Sequence, residues 1–482
     1  MNASPVSLSN HDMLVILPVL IVIGGAFIVL LLDAFVAAQR KVWVLSTAIA
    51  VLALAAAANC VLFGLQASVF EGMFVRDGVS NLLDNAIFVV AGLSLIYGWN
   101  DQSSQSFQGE VPVLVLFACA GMLGLVSAGS LLVAYLGLEL LALCSYALVA
   151  SRRDSGLSAE AAMKYFLLGS LASGLLLYGM SLIYGATQRL DLAAIAQILP
   201  TSPHTTLIQL GVLMAIAGVA FKLGAAPFHM YLPDVYQGAP PAVALFISAA
   251  PKLAAFGFIY RLLWIGLAPL SGHWHHTIAA LAAVSLVVGN VMALMQADFR
   301  RMLAYSTVSH IGFMLIGVAS ANPSGFASAL LYAIVYAMMT TGVFGALLLG
   351  SKSVSLDKPI GDYQGLAKRD PWLAACYLCF LLSMTGVPPF LGFWAKYSVI
   401  SAALRAGLTG LAGLALVSAV VAACYYLRIA QLMYFHSAPK PVGRSDPSPR
   451  LQWVLRLHAA SLLFFGLACQ GLIAWCQRAL AL

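Results

Sequence analysis

The sequence predicts an all-α polytopic membrane protein of about fourteen transmembrane helices, with two inverted five-helix repeats and with helices 7 and 12 broken. Three observations predict it. Of 482 residues, 62% are hydrophobic and only 9% charged, against about 25% charged in a soluble domain. The apolar residues form long continuous runs without period-two alternation, and a bilayer crossing needs about 20 of them. In hydrocarbon every backbone polar group must be satisfied internally, which leaves helices or closed barrels; continuous runs select helices. The formal net charge of +7 does not point to nucleic acid, because the basic residues sit mainly in short loops.

Taken in order, the spans are 13–38, 42–65, 79–100, 111–128, 130–150, 160–186, 206–232, 241–263, 275–297, 301–320, 325–350, 371–400, 408–436 and 452–478. Residues 1–12 lack a basic n-region and the first apolar run is span-length, so no cleaved leader is expected. An even count puts both termini on one side. Loops after odd-numbered spans carry Arg40, Lys41, Arg152, Arg153, Arg300, Arg301, Lys352, Lys358, Lys368, Arg369, Lys440, Arg444 and Arg450, whereas the opposite face has Arg76, Arg189, Arg261, Arg405 and Arg478. By the positive-inside bias both termini are expected to be periplasmic. The stretch 191–199 reads as either a short interfacial helix or a polar-rimmed loop.

Two spans contain breaks. The seventh runs through Lys222-Leu223-Gly224-Ala225-Ala226-Pro227-Phe228-His229, and the twelfth through Gly386-Val387-Pro388-Pro389-Phe390 to Lys396. Proline removes a backbone donor and clashes with the preceding turn, so each helix opens and its freed backbone must line a polar cavity. Pro227 and Pro389 are 162 positions apart, and spans four to eight precede spans nine to thirteen by a similar step. Five helices per unit is an odd number, so the two units sit inverted, the plan of transporters with discontinuous helices at the ion path. The expected divisions are 1–110 (three helices), 111–265 and 266–437 (the repeats) and 438–482 (helix 14).

Charges inside spans are the strongest functional signal, since each costs about 2.5–3.5 kcal/mol at the bilayer centre even on the gentler scales. Glu139, Lys222, Lys252 and Lys396 all lie deep in spans or beside a break. Such groups, held away from water, can change protonation near neutral pH and pass protons along a row. Three lysines cannot all be neutralised by one carboxylate. Lys164, a few residues into span six, either snorkels to the interface or tunes Glu139. Asp234 either bounds a proton entrance or caps a helix end, and Asp33 is a solvated end or a contact to another subunit. His229 and His310 are relay candidates or helix-to-helix hydrogen-bond partners. His273, His275 and His276 fall in an expected external loop without acidic or cysteine companions, a weak metal signal. The Cys376-x-x-Cys379 pair lies inside a span with no second ligand pair and reads as packing, and no disulfide framework is expected. Phosphate-loop, dinucleotide and haem-attachment motifs are lacking, so no cofactor is expected in this chain and its energy must come from an ion gradient or a partner.

The run from Lys222 through Pro227-Phe228-His229-Met230-Tyr231-Leu232-Pro233-Asp234 and Tyr236-Gln237-Gly238-Ala239-Pro240-Pro241 to Lys252 resembles the antiporter-like membrane subunits of respiratory complex I. So does Arg300-Arg301-Met302-Leu303-Ala304-Tyr305-Ser306-Thr307-Val308-Ser309-His310. The Gly386-Val387-Pro388-Pro389 break, lysine at 396, and the stop at Leu482 where a subunit L would continue favour the branch that includes mitochondrial subunit 2. The resemblance implies a coupling pair at Glu139 and Lys164, a central relay at Lys222 and Lys252, and a periplasmic half-channel at Lys396. It further implies proton pumping within an NADH:quinone oxidoreductase of the bacterial inner membrane, with FMN, iron–sulfur clusters and quinone in other subunits. Subunits K, J and M are the implied neighbours. The alternative is a subunit of an Mrp-type cation/proton antiporter, which shares the breaks and repeats.

Overall fold

The structure is a computed structural model that describes residues 9–36, 41–99, 109–350, 359–437 and 448–480. Arg40, Lys352, Lys358, Lys440 and Arg444, counted above among the loop cations, lie outside the described residues.

The first expected span is two helices, α1 (Asn10–Val15) and α2 (Leu17–Phe35), with Pro18 in the opening turn of the second. After α3 (Val42–Val61) the chain makes a small hairpin that the apolar pattern did not signal: β1 (Ala67–Val69) pairs antiparallel with β2 (Phe74–Arg76), Ser68 opposite Val75. Helix α4 (Gly78–Gly98) starts on an Asp77 cap whose carboxylate accepts from the Ser80 N–H, satisfying one of the orphan donors of a helix start. There follow α5 (Glu110–Val126), α6 (Leu131–Val149), α7 (Gly156–Thr187) and α8 (Leu192–Ile198). The stretch 191–199 is thus largely helical, and Asp191 caps it.

Helix α9 (Thr205–Leu223) stops at Gly224, whose φ of +82° suits glycine, and the chain resumes as α10 (Tyr231–Gly238). Helix α11 (Pro241–Ile259) is buried along its whole length and runs on into a π-helical turn, Tyr260–Gly266. Helices α12 (Ser271–Leu294), α13 (Phe299–Ala319), α14 (Pro323–Gly350) and the short α15 (Leu366–Arg369) come next. His273, His275 and His276 belong to the opening of α12, not to a loop. The second break separates α16 (Pro371–Thr385) from α17 (Leu391–Arg405), again at a left-handed glycine, Gly386 with φ +87°. The chain closes with α18 (Thr409–Phe435), α19 (Pro449–Leu467) and α20 (Cys469–Leu480).

By length and composition, eleven of the described helices can cross a membrane, or twelve if the bent α19–α20 pair is one span. The expectation was fourteen. The difference falls on two elements: α5 has 17 residues, and the twelfth expected span is two helices of 15 residues each. Helices α11, α13 and α14 form the centre of the bundle; their apolar stretches are 94–100% buried, against 28–33% for α2, α3 and α18 at the rim. Three cations used for the orientation are enclosed: Arg76 and Arg300, expected in loops, and Arg261, expected at the end of the eighth span, are 2–3% exposed. Their neighbours are backbone carbonyls and polar side chains of adjacent helices, so they carry no information about loop charge.

Candidate functional site

The site begins at the first helix break. Ending α9 at Leu223 frees its last carbonyls, and α10 returns Tyr231 beneath them: the Tyr231 hydroxyl donates to the Phe221 carbonyl at 3.1 Å. Lys252, 2% exposed in the middle of α11, donates to the Lys222 carbonyl at 3.2 Å and to the Tyr231 oxygen at 3.3 Å. Lys222 itself donates to the Ser173 hydroxyl on α7 at 3.1 Å. A buried ammonium needs such oxygens, because an unpartnered charge away from water is costly. The break supplies them from the backbone.

The second break repeats this chemistry. Lys396, 6% exposed, donates to the carbonyls of Met384 (2.9 Å) and Thr385 (2.8 Å), the final residues of α16. Those carbonyls carry the negative end of the helix dipole. The Lys396 ammonium also stands 5.1 Å from the Phe313 ring centroid, within cation–π range. A Cβ on Gly386 would come 2.9 Å from Lys396 Cδ, so glycine is required there by the lysine's path as well as by its φ.

Between the breaks lies a set of buried hydroxyls around one imidazole. The Tyr336 hydroxyl of α14 lies 3.1 Å from the Ser248 carbonyl of α11 and 2.9 Å from Thr307 Oγ1 of α13, and its one proton can go to either. Ser248 is one helical turn before Lys252. His310, one turn beyond Thr307 and 3% exposed, contacts the Tyr332 hydroxyl through Nδ1 (2.8 Å) and the Tyr426 hydroxyl through Nε2 (3.1 Å). Both ring nitrogens are thus engaged, one as donor and one as acceptor when the ring is neutral. Hydroxyls both donate and accept, which lets such a set carry a proton.

A second, more open cluster sits at the first break. Asp234, in the first turn of α10, binds Lys164 of α7 at 2.7 Å and Arg301 of α13 at 2.8 Å, and Lys164 also meets Glu160 at 2.8 Å. Lys164 was expected either to snorkel to the interface or to tune Glu139; here its side chain is 45% exposed and α10 carries Asp234 up against α7 to meet it, and among the described residues no ion pair joins Lys164 to Glu139. Glu139 is half-buried, close enough to Lys222 to act on it electrostatically, and its Oε1 is sealed from solvent without a hydrogen-bond partner. His229 lies in the break itself, its ring 6.0 Å from that of Tyr305. Asp33 is tied to Lys41 at 2.6 Å, apart from the other candidates.

The structure therefore joins Lys252 to the backbone carbonyl of Lys222, puts His310 among hydroxyls of α13, α14 and α18, and sets Lys396 at the other break. Tyr332, Tyr336 and Tyr426 went unremarked in the sequence, and Tyr231 and Thr307 entered only as members of the two motifs. Their signal was four-residue spacing inside apolar spans, as in Tyr332/Tyr336, which places both on one face without saying what that face meets. Also unforeseen is a buried pair near the start of α4, where Arg261 binds Asp77 at 2.7 Å and donates to the Val126 carbonyl at 2.8 Å.

Residues 128–422, which include both breaks and every candidate from Glu139 to Lys396, match the family model described as NADH:quinone oxidoreductase/Mrp antiporter, TM. A protein named NADH-quinone oxidoreductase subunit N, from Xanthomonas euvesicatoria pv. vesicatoria (strain 85-10), is 54% identical over 98% of both chains. Among solved structures, a chain of respiratory complex I from Thermus thermophilus with bound Aureothin aligns with a TM-score of 0.81 and 32% identity, over 95% of this chain and 98% of that one. A chain of the Mrp complex from Dietzia sp. DQ12-45-1b aligns with a TM-score of 0.87 at 23% identity, over 97% of each, a likeness of fold. With full-length relatives at this level of identity and the family model spanning both breaks, the chain belongs to the NADH-quinone oxidoreductase subunit N family.

Proposed function

We propose that this chain is a proton-translocating module in the membrane arm of a bacterial inner-membrane NADH:quinone oxidoreductase. The redox reaction runs in other subunits, which hold FMN, iron–sulfur clusters and quinone, and subunits of the K, J and M types flank this one. Protons pass along Lys222 and Lys252, through the hydroxyls around His310, to Lys396. Glu139 and the Lys164–Asp234 pair set the charge that switches the first of these, and His229 stands at the entrance. Residues 111–265 and 266–437 act as two inverted units, with 1–110 and 438–482 packed against them, and both termini face the periplasm. The observation that carries this reading is that a buried lysine binds the freed carbonyls at each of the two breaks, with a histidine and hydroxyls between.

The test is Lys396→Ala in the assembled complex in liposomes, with a pH-sensitive dye and NADH as donor. Removing a positioned proton-transfer group costs about a hundredfold or more in the step it serves, so protons moved per NADH should fall while oxidation of NADH by a soluble acceptor continues. An unchanged proton yield counts against the relay. For orientation, a cysteine in place of Arg153 should react with an impermeant maleimide only from the cytoplasmic side; labelling of intact spheroplasts would reverse it.

The Mrp-type antiporter shares the fold. The 54% full-length relative named as subunit N favours the first reading, and co-purification of flavin and iron–sulfur subunits separates the two.

A further inference from the structure

On the far side of α17 from Lys396 lies a cavity of about 170 Å³, between α14, α17 and α20. Four serines line it, Ser324, Ser328, Ser398 and Ser401, together with Arg405 and Gln477. Arg405 is the one charged residue lining it among the described residues, and no carboxylate among them pairs with it. Leu331 and Ile473 add apolar surface to the lining. At 100° per residue, positions 394, 398, 401 and 405 sit about 140–200° around α17 from Lys396. The helix therefore separates this cavity from the lysine, and a branch of the proton relay does not account for it.

The element that closes the cavity points to its occupant. Helix α20 bends by 78° from α19. It buries Cys469, Cys476 and Leu480 along one stripe and leaves Trp475, Gln477 and Arg478 outside, with Trp475 55% exposed. It packs over the beginnings of α4 and α14: a Cβ on Gly78 would come 2.7 Å from Ala479 Cα. An amphipathic helix turned nearly at right angles to its spanning partner, with an outward tryptophan and arginine, is the pattern of a helix lying in the membrane interface. The starts of α4 and α14 and the end of α17 gather beneath it, so the cavity opens at headgroup depth.

We propose that this cavity binds the headgroup of an anionic phospholipid. The Arg405 guanidinium takes the phosphodiester through paired N–H donors, the hydroxyls of Ser324, Ser398 and Ser401 and the Gln477 amide donate to its remaining oxygens while Ser328 is tied to the Ser324 carbonyl, and an acyl chain runs along Leu331 and Ile473. The volume equals about five or six waters at roughly 30 Å³ each, room for a phosphodiester and more than a single ion needs. This goes beyond the proton-translocation reading and stands without it.

The test uses the purified whole complex in liposomes doped with photoactivatable phosphatidylglycerol or photoactivatable phosphatidylcholine, with cross-linked peptides read by mass spectrometry. The phosphatidylglycerol probe should label peptides of α14, α17 and α20 several-fold more than the phosphatidylcholine probe. Arg405→Gln should abolish that preference, Arg405→Lys should keep part of it, and Ser401→Leu, which fills the cavity and leaves Arg405 in place, should reduce labelling by the anionic probe. NADH oxidation by quinone should persist in these variants. Equal labelling by the two probes in the wild-type complex, or a preference that survives Arg405→Gln, overturns the proposal. Full competition by inorganic phosphate overturns the lipid as the source of the bound anion.

Discussion

Lys252→Met should abolish proton delivery through this chain while leaving the protein folded. Methionine has nearly the length of lysine and no polar head, and volume-conserving replacements in a packed interior usually cost under about 1.5 kcal/mol. Among the described residues Lys252 has no ion pair that methionine would break: its ammonium is held by the Lys222 carbonyl and the Tyr231 hydroxyl. Its removal also relieves the burden of a charge in apolar surroundings. The fold should thus tolerate the change and the chemistry should not. Lys252 stands between the first break and the Ser248–Tyr336–Thr307 contacts, and its titratable contact is the Tyr231 hydroxyl on the break side. The expected result is a proton yield for quinone-linked NADH oxidation at least about tenfold lower for this module, below the usual range for losing a positioned proton-transfer group. Expression and assembly should match wild type. A variant that assembles and pumps normally would remove Lys252 from the path and leave Lys222 and Lys396 unconnected.

The largest stability effect is expected at the buried pair beneath the hairpin. Arg261 and Asp77 have side chains only 3% and 8% exposed and meet at 2.7 Å. Arg261 also donates to the carbonyls of Val126 and Val75, tying the π-turn after α11 to α5 and to β2. Arg261→Met strands the Asp77 carboxylate without its counter-charge, and breaking a buried pair from one side costs about 3–5 kcal/mol. Asp77 cannot simply be removed, because its other oxygen caps α4 through Ser80. Adding Asp77→Asn to Arg261→Met keeps a capping oxygen and deletes the stranded charge, so the double variant should recover most of the loss. Thermal aggregation of the purified complex reads both. A single variant within about 1 kcal/mol of wild type would mean that water reaches Asp77 and the pair is not desolvated.

These two sites were not equally legible. Lys252 stands out in the sequence because a lysine amid Ala249-Ala250-Pro251 and Leu253 has no cheap place in a membrane. Arg76, beside Asp77-Gly78, reads as an ordinary loop cation and Arg261 as a cation at the end of the eighth span, since hydropathy alone does not distinguish a cation at a span end from one folded under it. The breaks were legible for a local reason: Gly224 with Pro227 and Gly386 with Pro388-Pro389 cannot continue a helix, whatever surrounds them. The partner of Lys164 was not. Glu139 was the acid the family resemblance offered, but the turn after the first break swings Asp234 onto α7 and brings it within 2.7 Å, a consequence of the path taken by 224–230.

The sequence by itself determined the class of fold, the two breaks, the rare buried charges and the family, because each follows from composition or from a backbone constraint within a few residues. Tertiary structure alone decided what those charges touch. Freed carbonyls at the breaks receive Lys252 and Lys396, Tyr332 and Tyr426 from two other helices meet His310, and α20 packs on α4 and α14, far from it in sequence. An apolar span looks nearly the same on all its faces, so its periodicity carries little record of which neighbour it will meet. In hydrocarbon that choice rests on close packing and hydrogen bonds between particular side chains.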